Sequence, residues 1–233
     1  MLVHRPAADR GHFNFGWLNT AHSFSFGDYH DPRHMGFRSL RVINEDHLAP
    51  GSGFPFHGHA DMEIVTYIVD GALEHKDSLG TGEVIRPGDA QRMSAGTGIR
   101  HSEFNASTTD PVHLLQIWLL PSQRGIAPGY EQKSLPVATP GETRLDRIAS
   151  PAGGTSEVAI RSDAIIQRAL LAPGGTLAVP IALGHAWLQV VRGTVDFNGR
   201  ELHAGDGAAI EGEPELSITG KAEHAECLLF DLA

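Results

Sequence analysis

The sequence Gly51-Ser-Gly-Phe-Pro-Phe-His57-Gly-His59 carries two histidines one residue apart, and Gly96-Thr-Gly-Ile-Arg-His101-Ser-Glu103 carries a histidine and a glutamate at the same spacing. In an extended strand the side chains of residues i and i+2 point to the same face. His57 and His59 therefore share one face of a strand, and His101 and Glu103 share one face of another. If the two strands are neighbours, three imidazoles and one carboxylate converge, as expected of a metal site.

Turn and strand signals surround both pairs. Each pair follows a glycine-rich turn, and the first precedes Met62-Glu-Ile-Val-Thr-Tyr-Ile-Val69, a run rich in β-branched residues. Asp70-Gly71 directly follows this run and is typical of a hairpin turn, so we expect a hairpin there. A chain with 14 histidines produces an isolated His-x-His by chance. Two ligand pairs in the same strand context favour the metal site over chance.

The second half of the chain is a degenerate copy of the first. Gln189-Val-Val-Arg-Gly193, followed by His203-Ala-Gly-Asp206, repeats Tyr67-Ile-Val-Asp-Gly71, followed by Arg86-Pro-Gly-Asp89. Neither ligand pair has a counterpart in the repeat. Proline and glycine are frequent between residues 134 and 156, which predicts a boundary. We expect a metal-binding domain at 1–133 and a structural domain without metal ligands at 134–233.

Composition limits the classes of function. The 233 residues are 41% hydrophobic and 20% charged, and the formal net charge is −10. No cluster of basic residues accompanies that charge, which argues against direct binding to nucleic acid or to an anionic membrane. The start of the chain has no signal-like apolar segment and no long apolar run follows, so we expect a soluble cytoplasmic protein. We also expect a monomer. The single cysteine, Cys227, is expected in the core.

The motifs resemble those of a known superfamily. Gly51-x5-His57-x-His59-x3-Glu63-x7-Gly71 and Gly88-x5-Ser94-x-Gly96-x4-His101-x3-Asn105 are similar to the paired motifs of cupins. The segments 94–105 and 11–18 and the sequence His22-Ser-Phe-Ser-Phe resemble the pirin family. The resemblance implies an all-β fold of two tandem cupin barrels, also called double-stranded β-helices or jelly rolls, which makes a bicupin. Two departures from the general cupin pattern are Ser94, where proline is usual, and a spacer before His101 that is longer by two residues.

The pirin resemblance implies metal ligands at His57, His59, His101 and Glu103, with Glu63 not bound to the metal. Strand geometry agrees, because Glu63 lies four residues beyond His59, about 13 Å along an extended chain. Glu103 is one pleat from His101. We expect Glu63 to be a buried hydrogen-bonding residue, and His113 to pack in the core or at the rim of the pocket.

Three imidazoles and one carboxylate suit a divalent transition ion. Fe(II) is the first expectation, with Cu, Ni, Co, Mn and Zn as alternatives. Four protein ligands on an ion that prefers six leave two open positions, for O2 and a substrate. The pirin resemblance implies a quercetin 2,3-dioxygenase, in which a flavonol binds through its deprotonated 3-hydroxyl, O2 adds across the heterocycle, and the ring opens with loss of carbon monoxide. Glu103 would be both a ligand and the proton acceptor.

A second hypothesis belongs to a different class. Some pirins look like redox-sensitive cofactors of transcription or of metabolic enzymes, so the chain could be a non-catalytic metal sensor that binds a transcription factor or an enzyme. A third hypothesis is a cupin isomerase, or a dioxygenase for another phenolic substrate. The sequence does not identify the substrate, because residues that line the pocket come from distant strands.

Overall fold

The computed structural model describes residues 1–137, 139, 141–221 and 224–233. Its regular secondary structure is almost all strand, with one short 3-10 helix at Ala7–Asp9. Within these ranges no helix is long and apolar enough to cross a membrane. The strands are β1 (Leu2–Arg5), β2 (Gly11–Asn14), β3 (Leu18–His22), β4 (Leu40–Leu48), β5 (Gly53–His59), β6 (Glu63–Asp70), β7 (Leu73–Asp77), β8 (Gly82–Ile85), β9 (Asp89–Ser94), β10 (Ile99–Asn105), β11 (Val112–Leu119), β12 (Gly129–Ser134), β13 (Arg144–Ser150), β14 (Val158–Ala159), β15 (Ala164–Leu171), β16 (Thr176–Pro180), β17 (His185–Arg192), β18 (Thr194–Phe197), β19 (Arg200–His203), β20 (Gly207–Glu211), β21 (Glu215–Gly220) and β22 (Ala225–Leu232).

Each half of the chain forms a barrel from a seven-stranded and a four-stranded sheet. In the first half the strand orders are β12-β9-β6-β11-β4-β3-β2 and β5-β10-β7-β8. In the second half they are β1-β20-β17-β22-β15-β13-β14 and β16-β21-β18-β19. This is the all-β, two-barrel architecture that the motifs predict.

The first strand crosses to the other half. Leu2–Arg5 pairs antiparallel with residues 207–210 of β20, at the edge of the second seven-stranded sheet. The division at residues 133 and 134 stays a prediction. The pairing of β1 means that the second barrel includes a strand from the beginning of the chain.

The prediction of a hairpin at Asp70-Gly71 is wrong. The β6 strand pairs with β9 and β11, whereas β7 pairs with β8 and β10 in the other sheet. The turn therefore carries the chain from one sheet of the barrel to the other. Gly71 has a φ of +82°, and a Cβ there would lie 2.7 Å from the carbonyl oxygen of Pro111. A glycine is needed here because two backbones approach closely. A hairpin turn needs a glycine for a similar reason, so the two structures have the same local sequence.

Buried apolar clusters lie in three places: between the two halves, inside the second barrel and inside the first barrel. The largest lies between the halves and combines residues of both seven-stranded sheets, such as Ile117, Trp187 and Phe230. The interior of the second barrel is one continuous apolar cluster, in which Cys227 is fully buried as expected. The interior of the first barrel holds two smaller, separate clusters. The interior of the first barrel thus has a region between its two apolar clusters that is not apolar core. The corresponding region of the second barrel is filled by apolar side chains.

Candidate metal centre

The two ligand pairs lie on neighbouring strands. Strands β5 and β10 are antiparallel, with His57 directly opposite His101 and His59 opposite Ile99. Between His101 and Glu103 the register shifts, so that Glu103 faces Phe54 and β5 contains one extra residue. The bulge falls at Pro55 and Phe56 on an edge strand, where a proline without an N–H is tolerated. The local sequence therefore both pairs the histidines and bends the strand beside them.

Three imidazoles converge at this place. One ring nitrogen from each of His57, His59 and His101 lies within 4.8 Å of the others. His57 Nε2 is 3.1 Å from His101 Nε2. His57 Nδ1 is 2.9 Å from the carbonyl oxygen of Pro55, which can only accept, so Nδ1 carries the proton of His57. Its Nε2 is then a bare acceptor that points at His101.

His101 has the same tautomer, for a reason that involves two further residues. His75 Nε2 lies 3.2 Å from Asp77 Oδ2, and the carboxylate accepts, so His75 is protonated at Nε2 and bare at Nδ1. His75 Nδ1 lies 3.5 Å from His101 Nδ1, so a neutral His75 leaves His101 Nδ1 as the donor of this contact. His101 Nε2 is bare as well. Two bare nitrogens that face each other at 3.1 Å repel unless a proton or a metal cation lies between them, and together with the nearby His59 nitrogen the cluster fits a bound metal ion.

The sequence interpretation missed His75 and Asp77. They stand two residues apart on β7, where His75 is opposite Glu103 and Asp77 is opposite His101. Both side chains are fully buried. The signal was present as a third i, i+2 pair of polar residues in a strand. It could have been found only with the register between β7 and β10, which the local sequence does not give.

Glu103 lies beside the imidazoles but belongs to a second group of potential ligands, with His75 and His101. Its two carboxylate oxygens accept hydrogen bonds from Gln116 Nε2 at 2.9 and 3.0 Å. Thr66 Oγ1 donates to Gln116 Oε1 at 2.8 Å and thereby fixes the orientation of the amide. Burial raises the pKa of Glu103. The structure thus brings the three histidines together and holds Glu103 at the edge of that cluster.

Burial also keeps His59 and His101 neutral. It lowers the pKa of His59 to about 4, with a smaller contribution from the neighbouring His57. It lowers the pKa of His101 to about 2, with the other histidines of the cluster adding to the shift. Neutral imidazole is the form that coordinates a metal ion.

Glu63 and His113 lie outside both groups of potential ligands. Glu63 is completely buried, and its Oε2 accepts hydrogen bonds from Ser94 Oγ and from the backbone N–H of Arg161, each at 2.9 Å. Ser94, the departure from the usual proline, is thus the partner of Glu63. His113 lies 2.9 Å from Glu45 Oε1 and stacks on His47.

A cavity of about 390 Å³ opens next to the imidazoles, a size typical of small-molecule sites. Its lining is mainly aromatic but includes several polar groups: Phe26, Asn44, Asp46, Phe54, Pro55, Phe56, His57, His59, Glu103, Gln116 and Trp118. A larger cavity of about 600 Å³ lies in the second half, near Leu170 and Arg192. Among the described residues, both groups of potential metal ligands lie in the first barrel, so of these two cavities the smaller one lies next to the potential ligands.

Two tandem barrels, the first with converging imidazoles beside an aromatic cavity, define the chain as a bicupin. Residues 4–119 match the family model described as Pirin, and residues 147–232 match the model described as Quercetinase C-terminal cupin domain. The chain belongs to the pirin family.

Similar proteins cover the whole chain. A quercetin 2,3-dioxygenase of Escherichia coli K12 is 44% identical over 100% of this chain and 99% of its own length. A pirin-like protein of Caulobacter vibrioides is 40% identical, with both chains covered completely. The crystal structure of the bacterial pirin YhhW from Escherichia coli in complex with nickel(II) has a TM-score of 0.92 at 43% identity, covering 100% of this chain and 99% of that one.

Proposed function

We propose that the protein is a metal-dependent dioxygenase that uses O2 to open the heterocycle of a flavonol, such as quercetin, at the 2,3 bond. The proposed ligands of one divalent ion are His57, His59, His101 and Glu103, with Fe(II) as the first candidate. The main support is the pair of Nε2 atoms of His57 and His101, which face each other at 3.1 Å, with His57 lining an aromatic cavity. The relative named quercetin 2,3-dioxygenase and the relative solved with nickel(II) also support it.

The bound ion would supply a Lewis acid with open coordination positions. Glu103 is the group that accepts the proton of the flavonol 3-hydroxyl, because its carboxylate lines the cavity beside His57 and His59. Burial raises the pKa of Glu103 in the metal-free protein, and a bound cation would act in the opposite direction, so the basicity of the carboxylate depends on both. Gln116 holds both oxygens, which keeps the carboxylate directed at the cavity.

The aromatic lining binds the flat substrate and excludes water. Phe26 and Trp118 meet edge to face with ring centroids 5.3 Å apart, and Trp118 meets His59 at 4.9 Å in the same manner. Phe54 lies on the strand that carries His57, and its ring centroid is 6.4 Å from that of His57. A planar polycyclic molecule can therefore contact aromatic side chains while its oxygen atoms reach the cluster of imidazoles.

The test is anaerobic loading of the metal-free protein with Fe, Mn, Co, Ni or Cu, followed by oxygen and quercetin. We expect one O2 consumed per flavonol lost with at least one of these ions. The variants His57→Ala and His101→Ala should lose both the bound ion and turnover, whereas His203→Ala, an exposed histidine of the second barrel, should keep both.

Two results would contradict the proposal in different ways. Unchanged ion content in folded His57→Ala and His101→Ala would remove the metal centre. Normal ion binding without flavonol loss for any of the five metals would remove the dioxygenase and leave the regulatory hypothesis.

A further inference from the structure

A row of polar side chains crosses the interior of the first barrel. It runs in direct register over five adjacent strands, β3, β4, β11, β6 and β9. Side chains of directly opposed residues point to the same face of a sheet. Gln116 contacts Glu103 across the barrel, so this face is the interior. The members of this polar row, all buried, are His22, Asn44, Gln116, Thr66 and Gln91.

The barrel fold itself does not require such a row. The interior of the second barrel is a continuous apolar cluster, whereas in the first barrel the polar row separates two apolar clusters. Leu114, Gln116 and Trp118 show the alternation on one strand, with an apolar residue on either side of the polar one. A buried polar group destabilises the fold unless it has a hydrogen-bond partner.

Only part of the row is paired. Thr66 and Gln116 form the chain that ends on Glu103. Among the described residues, Asn44 Oδ1 has no hydrogen-bond partner, and neither has Oδ1 of Asp46, two residues further along β4. The Thr20 hydroxyl, directly opposite Asp46 on β3, is a neighbouring donor that acts against the effect of burial on the pKa of Asp46. Asn44 is 5% and Asp46 is 4% exposed, and both line the cavity next to the imidazoles. Trp118 Nε1, an N–H donor, is also unpartnered in the lining.

The unpaired groups define the chemistry of a ligand. Two of them are acceptor oxygens on the same face of one strand, about 7 Å apart along the chain. They require a ligand that presents O–H or N–H donors in a flat, otherwise apolar body, because the rest of the lining is largely aromatic. An aspartic side chain accepts a hydrogen bond from a phenolic O–H through a bare oxygen in either protonation state, and the pairing is stronger when the carboxyl group is ionised.

We propose that Asp46, two residues beyond Asn44 on β4, binds a phenolic hydroxyl group on the pendant ring of the substrate, so that the pocket selects flavonols with a hydroxylated pendant ring. This inference rests on the proposed dioxygenase function and extends it to substrate choice. Asp46 is the specificity-determining residue here, whereas Asn44, directly opposite Gln116, lies nearer Glu103 and the metal-binding end of the same molecule.

The test measures binding apart from turnover. The protein is loaded with Zn(II), which is redox-inert, and titrated with quercetin, kaempferol and galangin, which share the 3-hydroxyl and carry two, one and no hydroxyls on the pendant ring. A hydrogen bond to a charged group corresponds to about a 10- to 100-fold change in affinity. We expect quercetin to bind at least about tenfold more tightly than galangin. Asp46→Leu should abolish this preference while the affinity for galangin stays within about threefold.

Matched variants separate recognition from folding. Asp163→Leu, at an exposed position of the second half, should keep the preference. Asp46→Asn, which preserves the shape of the side chain, covers the case in which Asp46→Leu does not fold, and should reduce the preference. Equal affinity of the wild-type protein for the three flavonols, or an unchanged preference in folded Asp46→Leu and Asp46→Asn, would overturn the inference even if all three are turned over. Graded affinity without turnover by any metal would support this inference and contradict the dioxygenase.

Discussion

Replacing Asp77 by Asn should weaken metal binding although Asp77 is not a proposed ligand. Asp77 Oδ1 accepts hydrogen bonds from the backbone N–H groups of Leu79 and Thr81 at 2.9 and 3.0 Å. In Asp77→Asn these donors hold the amide oxygen in place, so the amide NH2 faces His75 Nε2. His75 must then accept at Nε2 and carry its proton at Nδ1.

The changed tautomer of His75 affects the metal site because it changes the tautomer of His101. A proton at His75 Nδ1 faces His101 Nδ1, 3.5 Å away, and forces the proton of His101 to Nε2. That is the nitrogen that lies 3.1 Å from His57 Nε2. Metal binding must then restore the old tautomer and leave two donors opposed in a buried place. The cost of one unsatisfied buried donor is about 1–3 kcal/mol, which corresponds to a dissociation constant for the metal that is roughly 5- to 150-fold larger.

The assay is a competition titration of Zn(II) or Ni(II) against a chromogenic chelator at pH 7, with the histidine tautomers followed by nitrogen NMR. We expect Asp77→Asn to raise the metal dissociation constant about 10- to 100-fold, the range typical of residues that orient metal ligands. Glu201→Gln is the matched control, because Glu201 lies 3.5 Å from His203 in an exposed His–carboxylate pair of the second barrel. An affinity of folded Asp77→Asn within about twofold of wild type would refute the tautomer argument.

Two further predictions concern buried carboxyl groups. Glu63→Ala removes the acceptor of the Ser94 hydroxyl and of the Arg161 N–H, so the free energy of unfolding measured with urea should fall by about 1–3 kcal/mol. The metal stoichiometry should not change, and loss of the metal would contradict the hydrogen-bonding role of Glu63. Burial raises the pKa of Asp46 to about 7. The folded metal-free protein therefore holds a proton that the unfolded chain releases near pH 4, and the stability from this group is lost as the pH rises towards 7 and above. Asp46→Asn should remove this loss, worth up to about 4 kcal/mol at about 1.4 kcal/mol per pKa unit, and identical pH dependence of unfolding in variant and wild type would contradict it.

Local periodicity allowed part of the site to be predicted. The i, i+2 rule places His57 with His59 and His101 with Glu103 on common faces because it depends only on the pleat of a single strand. The pairing of β5 with β10 then brings three imidazoles together, as the sequence predicts. The ligand role of the four residues stays a prediction.

Pairing between distant strands could not be predicted. Asp70-Gly71 has the sequence of a hairpin, yet it connects two sheets, because the same positive φ serves both structures. The pairing of Leu2–Arg5 with β20 joins residues about 200 positions apart and leaves no local pattern. His75 acquires its role only through its register with Glu103. In each case the missing information is which strands are neighbours.

The two buried glutamates show how the second half of the chain affects the candidate site. Both Glu63 and Glu103 are carboxylates in the first barrel, and only one is held at the cluster of imidazoles. Glu63 Oε2 is occupied by Ser94 Oγ and by the backbone N–H of Arg161, which belongs to the second half. A proline at position 94 would have no hydroxyl to donate, so the departure from the usual motif and the contact with the second half act on the same oxygen. The second half therefore contributes to the choice of carboxylate, because it engages Glu63 and leaves Glu103 as the one beside the histidines.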